Sequence, residues 1–184
     1  MPHLLLKDLP RYECLLEAAK EFPDLDPSAC EAFLHLLRSA DECARVVESL
    51  LAQHNITQGR FGVLMILLNR CDGDVPTLGP AELAEAAGVS RATMTGLIDT
   101  LERDGLVTRE PATVDRRMMI VCLTAKGRAL LEAILPDHFR RMAWLMATLT
   151  ESERHALVRM LGKIQQQAAL YSDAALSRTA PTTV

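Results

Sequence analysis

Small hydroxyl side chains and arginines between Ser90 and Gly105 are the residues of this chain best suited to specific hydrogen bonding. Apolar residues recur there at the i, i+3, i+4, i+7 spacing that places one stripe of a helix against a core, namely Met94, Leu97, Ile98 and Leu101. The opposite face carries Arg91, Thr93, Thr95, Gly96, Thr100 and Arg103. A solvated helix face usually carries Glu and Lys pairs, so this short, donor-rich face favours contact with a nucleic-acid groove instead.

Local residues specify both ends of this helix. Ser90 is a good N-cap, and Gly105 can adopt the left-handed conformation that ends a helix. Upstream, another helix is predicted from Pro80 to a turn at Gly88. This order is typical of a helix-turn-helix, whose second helix enters the major groove, although ordinary packing in a helical domain gives the same shape.

Two short β-rich runs follow, Leu106–Glu110 and Met118–Leu123, and they predict a hairpin with a long tip. Arg116 and Arg117 lie in that tip beside Asp115. One arginine can reach a narrow minor groove while the aspartate holds a neighbouring guanidinium. A surface Arg pair alone usually indicates only solubility, but directly behind a recognition-type helix it indicates the wing of a winged helix.

Three segments together resemble the MarR family of bacterial transcription regulators: Ser90 to Val107, Asp115 to Arg117, and Leu123 to Gly127. The resemblance extends from about residue 29 to about residue 167. It implies a homodimeric, mainly α protein with a small β wing, in which a winged helix-turn-helix is flanked by N- and C-terminal dimerisation helices.

The resemblance also implies which residues contact DNA. Arg91, Thr93 and Thr95 would face bases or phosphates, and the pair at positions 115 and 117 would form the signature of the wing. Some members carry Arg or another long side chain where this chain has Gly96. We therefore predict the following DNA-contacting set: Ser90, Arg91, Ala92, Thr93, Thr95, Gly96, Thr100, Arg103, Asp115, Arg116 and Arg117.

The charge distribution agrees with this placement. The chain has 184 residues and a net charge of −4, but residues 1–59 carry −5 and residues 88–128 carry +2. Because phosphate contacts dominate affinity for DNA, a module with so few excess positive charges should bind weakly alone and need a second copy on the same duplex.

The outer helices supply a means of dimerisation. The apolar stripe of the first long helix is wider than one winged domain needs to cover, and it comprises Ala29, Phe33, Leu36, Leu37, Ala40, Ala44, Val47, Leu50 and Leu51. Two further amphipathic helices are predicted over 126–149 and 151–171, the second introduced by a capping box from Thr150 to Glu153. The alternative is that these helices only complete a monomeric core.

The predicted organisation has five parts. Residues 1–27 form an N-terminal extension, either an extra helix or a mobile arm, and 28–57 an N-terminal dimerisation helix. Residues 58–124 form the winged helix-turn-helix, 125–171 the C-terminal dimerisation helices and 172–184 a flexible tail. We expect no signal peptide and no membrane span, and hence a cytoplasmic protein.

Several other kinds of site are not indicated. Neither a glycine-rich phosphate loop nor a nucleophile and base at catalytic spacing is evident, so we expect no enzyme and no cofactor. The five cysteines include no C-x-x-C pair, and a metal site is not expected. Thiol-based redox sensing through Cys14 or Cys43 is an alternative that neighbouring acidic residues disfavour.

The sequence therefore predicts a transcription regulator that is expected to act as a repressor. It would bind double-stranded DNA as a homodimer on a pseudo-palindromic operator. The resemblance further implies release by a small-molecule effector, for which His35, Arg38 and Arg60 are candidate contacts for an anionic group. The other alternative is a winged helix that serves as a protein-interaction module, which would be expected to carry large apolar anchors instead of arginines.

Overall fold

The computed structural model describes residues 8–70, 78–112 and 118–179. Within those ranges the chain forms seven helices and two strands. In chain order they are α1 (Tyr12–Glu21), α2 (Pro27–Gln53), α3 (Gln58–Arg70), α4 (Pro80–Ala87), α5 (Arg91–Arg103), β1 (Val107–Pro111), β2 (Met119–Leu123), α6 (Ala125–Met146) and α7 (Glu151–Thr179). The predicted fold class, mainly α with a small β wing, is confirmed.

The chain divides into two compact units, residues 1–141 and residues 142–184. The core of the first unit is drawn from α2 to α6 and both strands. Its fully buried large side chains are Leu50, Leu51, Val63, Leu64, Leu83, Met94, Ile98, Leu101, Val107, Val121, Leu131 and Ile134. In the second unit, Arg154 donates hydrogen bonds to the carbonyl oxygens of Met146 (3.2 Å) and Leu149 (2.6 Å), which fixes the start of α7.

The sheet is a two-stranded antiparallel hairpin. Val107 pairs with Leu123 at its base and Pro111 with Met119 near its tip. Leu78 forms an additional bridge to Val121, whose N–H donates to the Leu78 carbonyl at 3.0 Å. The bridge ties the hairpin to the segment that precedes α4.

The predicted helix boundaries at the centre of the chain are confirmed. Ser90 caps α5 by accepting a hydrogen bond from the Thr93 N–H at 3.1 Å. Gly88 (φ 64°) and Gly105 (φ 71°) are left-handed where α4 and α5 end. Thr150 and Glu153 form the predicted capping box, with the Thr150 N–H donating to the Glu153 carboxylate at 2.7 Å.

The start of α6 requires a glycine for a different reason. Thr124 caps the helix, accepting from the Gly127 N–H at 3.0 Å, and its hydroxyl donates to the Gly105 carbonyl at 2.8 Å. A Cβ at position 127 would overlap the carbonyl oxygen of Leu106. The close approach of α6 to the start of the hairpin therefore depends on the missing side chain.

The two ends of the chain are more helical than the sequence suggested. Of the two possibilities for the N-terminal extension, the structure has a helix, α1, at residues 12–21. At the other end α7 reaches Thr179 and so enters the predicted flexible tail, because Ala174, Ala175 and Leu176 are good helix formers and no proline lies between Glu151 and Thr179. No helix in the described ranges is long and apolar enough to cross a membrane.

Candidate nucleic-acid interface

Helix α5 is held in a fixed orientation by its apolar stripe. Met94, Ile98 and Leu101 are fully buried, and Leu97 packs at the edge of the core. Because these residues face inward, the positions between them face solvent. The exposed residues at the start of the helix are Ser90, Arg91, Ala92, Thr93, Thr95 and Gly96.

The hydroxyl groups on this exposed surface are bonded locally. The Thr95 hydroxyl donates to the Arg91 carbonyl at 2.9 Å, and the hydroxyls of Thr93 and Ser90 are bonded to each other at 2.8 Å. A threonine that donates back to its own helix still presents oxygen lone pairs and a methyl group outward. The surface can therefore accept hydrogen bonds and contact a thymine methyl group without breaking the hydrogen bonds that its hydroxyl groups make within the helix and its cap.

Gly96 is not explained by packing within the chain. A Cβ added at this position would have nothing within 4 Å, so alanine would fit without a clash. Glycine in the middle of a helix costs about 1 kcal/mol relative to alanine. The position therefore leaves an opening in the outer face of α5 through which another molecule can approach the backbone.

The C-terminal half of α5 differs from this surface. Thr100 is half-buried and its hydroxyl donates to the Leu97 carbonyl at 2.8 Å. Arg103 is exposed, but it lies twelve residues, about 18 Å, from Arg91 along the helix. Its Nε is 3.7 Å from the Asp104 carboxylate. The structure thus brings together the predicted contact residues from 90 to 96 and separates Arg103 from them.

Arg109 on β1 is engaged with two carboxylates of α5. Its guanidinium forms ion pairs with Asp99 and Glu102, and its backbone N–H donates to Glu102 at 3.1 Å. The hydrogen bond to Asp99 raises the pKa of Arg109, partial burial opposes this, and Glu102 adds to the rise. Arg109 is one of the positive charges counted over 88–128, so the charge free to meet phosphates there is smaller than the sequence suggested. Asp99 and Glu102 lie three residues apart on α5. That spacing, which places two acids side by side on a helix, was the sequence signal from which the pairing with Arg109 could have been predicted.

Arg60 on α3 pairs with Asp104, the residue that follows α5. Lys126 donates to the Asp104 carbonyl at 2.7 Å. These residues border a hollow of about 490 Å³ that carries three cationic side chains and one carboxylate. Its lining is His54, Asn55, Ile56, Arg60, Arg103, Asp104, Leu106, Lys126 and Leu130.

The other two candidate ligand contacts lie elsewhere. His35 and Arg38 are on α2, one turn apart, and neither borders this hollow. His35 is exposed, and the Nε of Arg38 is 3.2 Å from the Glu42 carboxylate. The structure therefore does not bring Arg60 together with the α2 pair in this hollow.

Some predicted residues lie outside the described ranges. These include the wing residues Asp115, Arg116 and Arg117, together with Cys71. Within the described ranges, Cys14, Cys30, Cys43 and Cys122 form no disulfide bond, and no cluster of three potential metal ligands occurs there.

Comparison with known proteins identifies the family. The model of the MarR family matches residues 56–119, which include α3, α4, α5 and β1. The chain is also 35% identical to the HTH-type transcriptional repressor YetL of Bacillus subtilis (strain 168) over 91% of its own length and 99% of that protein. The chain belongs to the MarR family. It is therefore a winged-helix transcription regulator and not an enzyme.

Solved structures of MarR proteins agree with the fold. A structure of Bordetella bronchiseptica BpsR, which addresses regulation of its DNA binding by 6-hydroxynicotinic acid, is 27% identical, with a TM-score of 0.61 over 71% of this chain and 91% of BpsR. The S. aureus MepR–DNA complex superimposes with a TM-score of 0.65 over 74% of this chain and 96% of MepR, at 24% identity. The exposed face of α5 is thus the outer face of a MarR helix-turn-helix.

Proposed function

We propose that this MarR regulator is a cytoplasmic repressor that binds a pseudo-palindromic operator as a homodimer and is released by a small-molecule effector. The observation that carries the proposal is the outward face of α5. Every residue from Ser90 to Gly96 is exposed except Met94, which is buried. A helix held so firmly on one side and so open on the other suits insertion into a major groove.

The DNA-contacting residues follow from this orientation. Arg91, Thr93, Thr95 and Gly96 are proposed to meet bases or nearby phosphates, with Ser90 and Ala92 at the groove edge. Thr100 and Arg103 are less favourable contacts because one is half-buried and the other lies at the far end of the helix. The wing residues at 115–117 keep their predicted minor-groove role as a proposal from the sequence.

Uncovered apolar side chains support dimerisation. In the first unit, Leu16 on α1, Phe22 directly after α1 and Phe33 on α2 are roughly half or more exposed. In the second unit, α7 exposes Val158, Met160, Ile164, Leu170 and Tyr171. Large apolar groups exposed in such numbers mark surfaces that meet another chain. We therefore assign residues 28–57 and 125–171 to the dimer layer, with α1 as a further contributor.

The hollow beside Arg60 is the proposed effector site of the first unit. Arg60, Arg103 and Lys126 offer positive charge, and Ile56, Leu106 and Leu130 offer apolar surface. This combination suits a small carboxylic acid with an apolar body. That DNA binding by the relative BpsR is regulated by 6-hydroxynicotinic acid supports the same ligand class. His35 and Arg38 remain candidates for a separate anion contact on α2.

The first experiment is a titration of the full-length protein against DNA from immediately upstream of its own gene, at two salt concentrations with scrambled competitor. We expect saturable binding of a dimer that is steeply salt-dependent and resists the competitor. Binding no tighter than to scrambled DNA would contradict this choice of operator. Selection of bound genomic fragments would then test the regulator proposal, and failure to enrich any sequence would overturn it.

Two variants test the finer assignments on the recovered operator. Arg117→Ala should weaken binding strongly and lower the salt slope by about one phosphate contact. Wild-type binding under matched salt would refute the wing assignment. For the effector, 6-hydroxynicotinic acid is added to the complex as a probe. Arg60→Gln also loses the ion pair with Asp104, so each protein is compared with itself, as the ratio of its operator affinity without and with the probe. We expect a smaller ratio for Arg60→Gln than for wild type. Equal release of both proteins would place the effector site elsewhere.

A further inference from the structure

Arg109 makes a contact between two separate parts of the winged helix. The residue lies in the middle of β1, where it pairs with Val121 of β2. Its side chain leaves the hairpin and reaches α5, where the guanidinium forms one ion pair with Asp99 and another with Glu102. Each of the two terminal nitrogens bonds a different carboxylate, so the plane of the guanidinium is fixed at two points.

The backbone adds a third bond to the same contact. The Arg109 N–H donates to Oε1 of Glu102 at 3.1 Å, while the other carboxylate oxygen of Glu102 accepts from the guanidinium. Glu102 therefore holds both the main chain and the side chain of one strand residue. We call Asp99, Glu102 and Arg109 the helix–strand clamp.

The clamp is more sheltered than an ordinary surface ion pair. The Arg109 side chain is 25% exposed and that of Glu102 is 37% exposed, whereas Asp99 is 57% exposed. Exposed ion pairs contribute little to stability because water and salt screen them and because both side chains lose entropy. Three hydrogen bonds to one partly buried arginine fix its orientation more closely than a single exposed ion pair does.

The position of the clamp gives it a consequence for DNA binding. Asp99 and Glu102 lie on α5 three and six residues after Gly96, where the exposed segment ends. Arg109 lies on the strand that leads from α5 into the hairpin. The clamp therefore sets the angle between the recognition helix and the hairpin, the two parts that are proposed to enter neighbouring grooves.

We propose that Arg109 is a positioning residue that locks the hairpin β1–β2 to α5, so that helix and hairpin dock on DNA as one preformed body. The proposal rests on the proposed DNA-binding function. It assigns Asp99 and Glu102 a favourable role in DNA binding although both are negatively charged, and it removes Arg109 from the set of phosphate contacts.

The proposed role predicts the opposite of the usual effect of a carboxylate on DNA binding. A carboxylate near DNA repels phosphates, so neutralising it normally strengthens binding. Neutralising Asp99 or Glu102 should instead weaken operator binding, because the less firmly oriented hairpin must then lose freedom at the moment of binding. Glu110 provides a matched control, since it is an exposed acid next to Arg109 on β1 whose described hydrogen bond is to Thr108 alone.

The test compares the full-length variants Asp99→Asn, Glu102→Gln and Glu110→Gln on the operator fragment recovered above. We expect Glu102→Gln to bind about 5- to 10-fold more weakly, Asp99→Asn to bind less weakly than that, and Glu110→Gln to bind as well as or better than wild type. Urea unfolding of each variant checks that the folded fraction is equal. Equal or tighter binding by both Asp99→Asn and Glu102→Gln would overturn the proposal.

Two further readouts separate positioning from stability and from phosphate contact. Arg109→Lys keeps the charge but cannot span both acids, so it should bind weakly while retaining the wild-type salt slope. Footprinting should show lost protection at the outer minor grooves, with central major-groove protection kept. Wild-type affinity in Arg109→Lys, with protection unchanged, would identify a phosphate contact instead, because lysine keeps the charge that a phosphate contact needs. If wild type itself selects no operator, the proposed function has failed before the clamp is tested.

Discussion

The two halves of α5 share one buried stripe but differ in their polar contacts with the rest of the fold. From Arg91 to Gly96 the polar groups bond only within the helix and its cap, and Arg91 forms no ion pair with any residue the structure describes. From Asp99 onward the helix is bonded to β1 through Arg109 and, at Asp104, to α3 through Arg60 and to α6 through Lys126.

This difference separates anchoring from recognition along one helix. The second half fixes where the helix points, because three other elements are bonded to it. Apart from the buried Met94, the first half contributes few interactions to the fold, and its exposed side chains are free to contact a partner. Changes in the second half should therefore affect stability and docking geometry, whereas changes in the first half should affect DNA binding at nearly constant stability.

The largest expected effect lies on the anchoring side. Gly127→Ala places a Cβ against the Leu106 carbonyl, and neither backbone can move without disturbing the Thr124 cap. We expect a loss of about 3 kcal/mol in the free energy of unfolding, at the upper end for overpacked sites. Urea denaturation followed by circular dichroism measures it.

Gly62→Ala on α3 is the matched control, because a Cβ there would have nothing within 4 Å. It should keep or raise stability by up to about 1 kcal/mol, as expected for a helical glycine. If both variants were equally stable, α6 would not be packed against the hairpin as described.

The next largest expected effect is on operator binding and not on stability. Arg91→Ala should weaken operator binding by about 10-fold or more and lower the salt slope by about one if the arginine meets a phosphate. Stability should stay close to that of wild type, because Arg91 has no described ion pair. Lys20→Ala on α1, which removes the same charge from an exposed pair with Glu17, should leave DNA binding unchanged. A comparable loss in both variants would mean that only net charge matters.

The smallest expected effect on the fold has the opposite sign. Gly96→Ala adds a methyl group to open space within a helix, so stability should rise by about 0.5 to 1 kcal/mol. Operator affinity should fall, because the methyl group would block close approach to the backbone. Thermal unfolding and the DNA titration measure the two quantities. Unchanged affinity would show that the opening at Gly96 is not used.

Much of α5 was predictable because its signals are local. The spacing of Met94, Ile98 and Leu101 defined the buried face, and the caps at Ser90 and Gly105 defined the ends. Each depends on residues within one or two turns of helix, where the chain has few alternatives. The exposed set from 90 to 96 followed from the same periodicity.

The ion pairs were not predictable in the same way. Arg109 was counted among the charges available to DNA, but the hairpin folds back and brings it against Asp99 and Glu102. Arg60 meets Asp104 from 44 residues away. The composition of a segment gives its formal charge, whereas the number of charges left unpaired depends on which surfaces meet.

The sequence by itself determined the family, the helix-turn-helix and hairpin order, and the face that α5 turns outward, because periodicity and capping act over a few residues. Only the tertiary structure decided which cations remain free, which glycine is required by packing and how the hairpin is joined to the recognition helix. Those features depend on contacts between segments distant along the chain, and such contacts form only when burial of the common core brings the segments together.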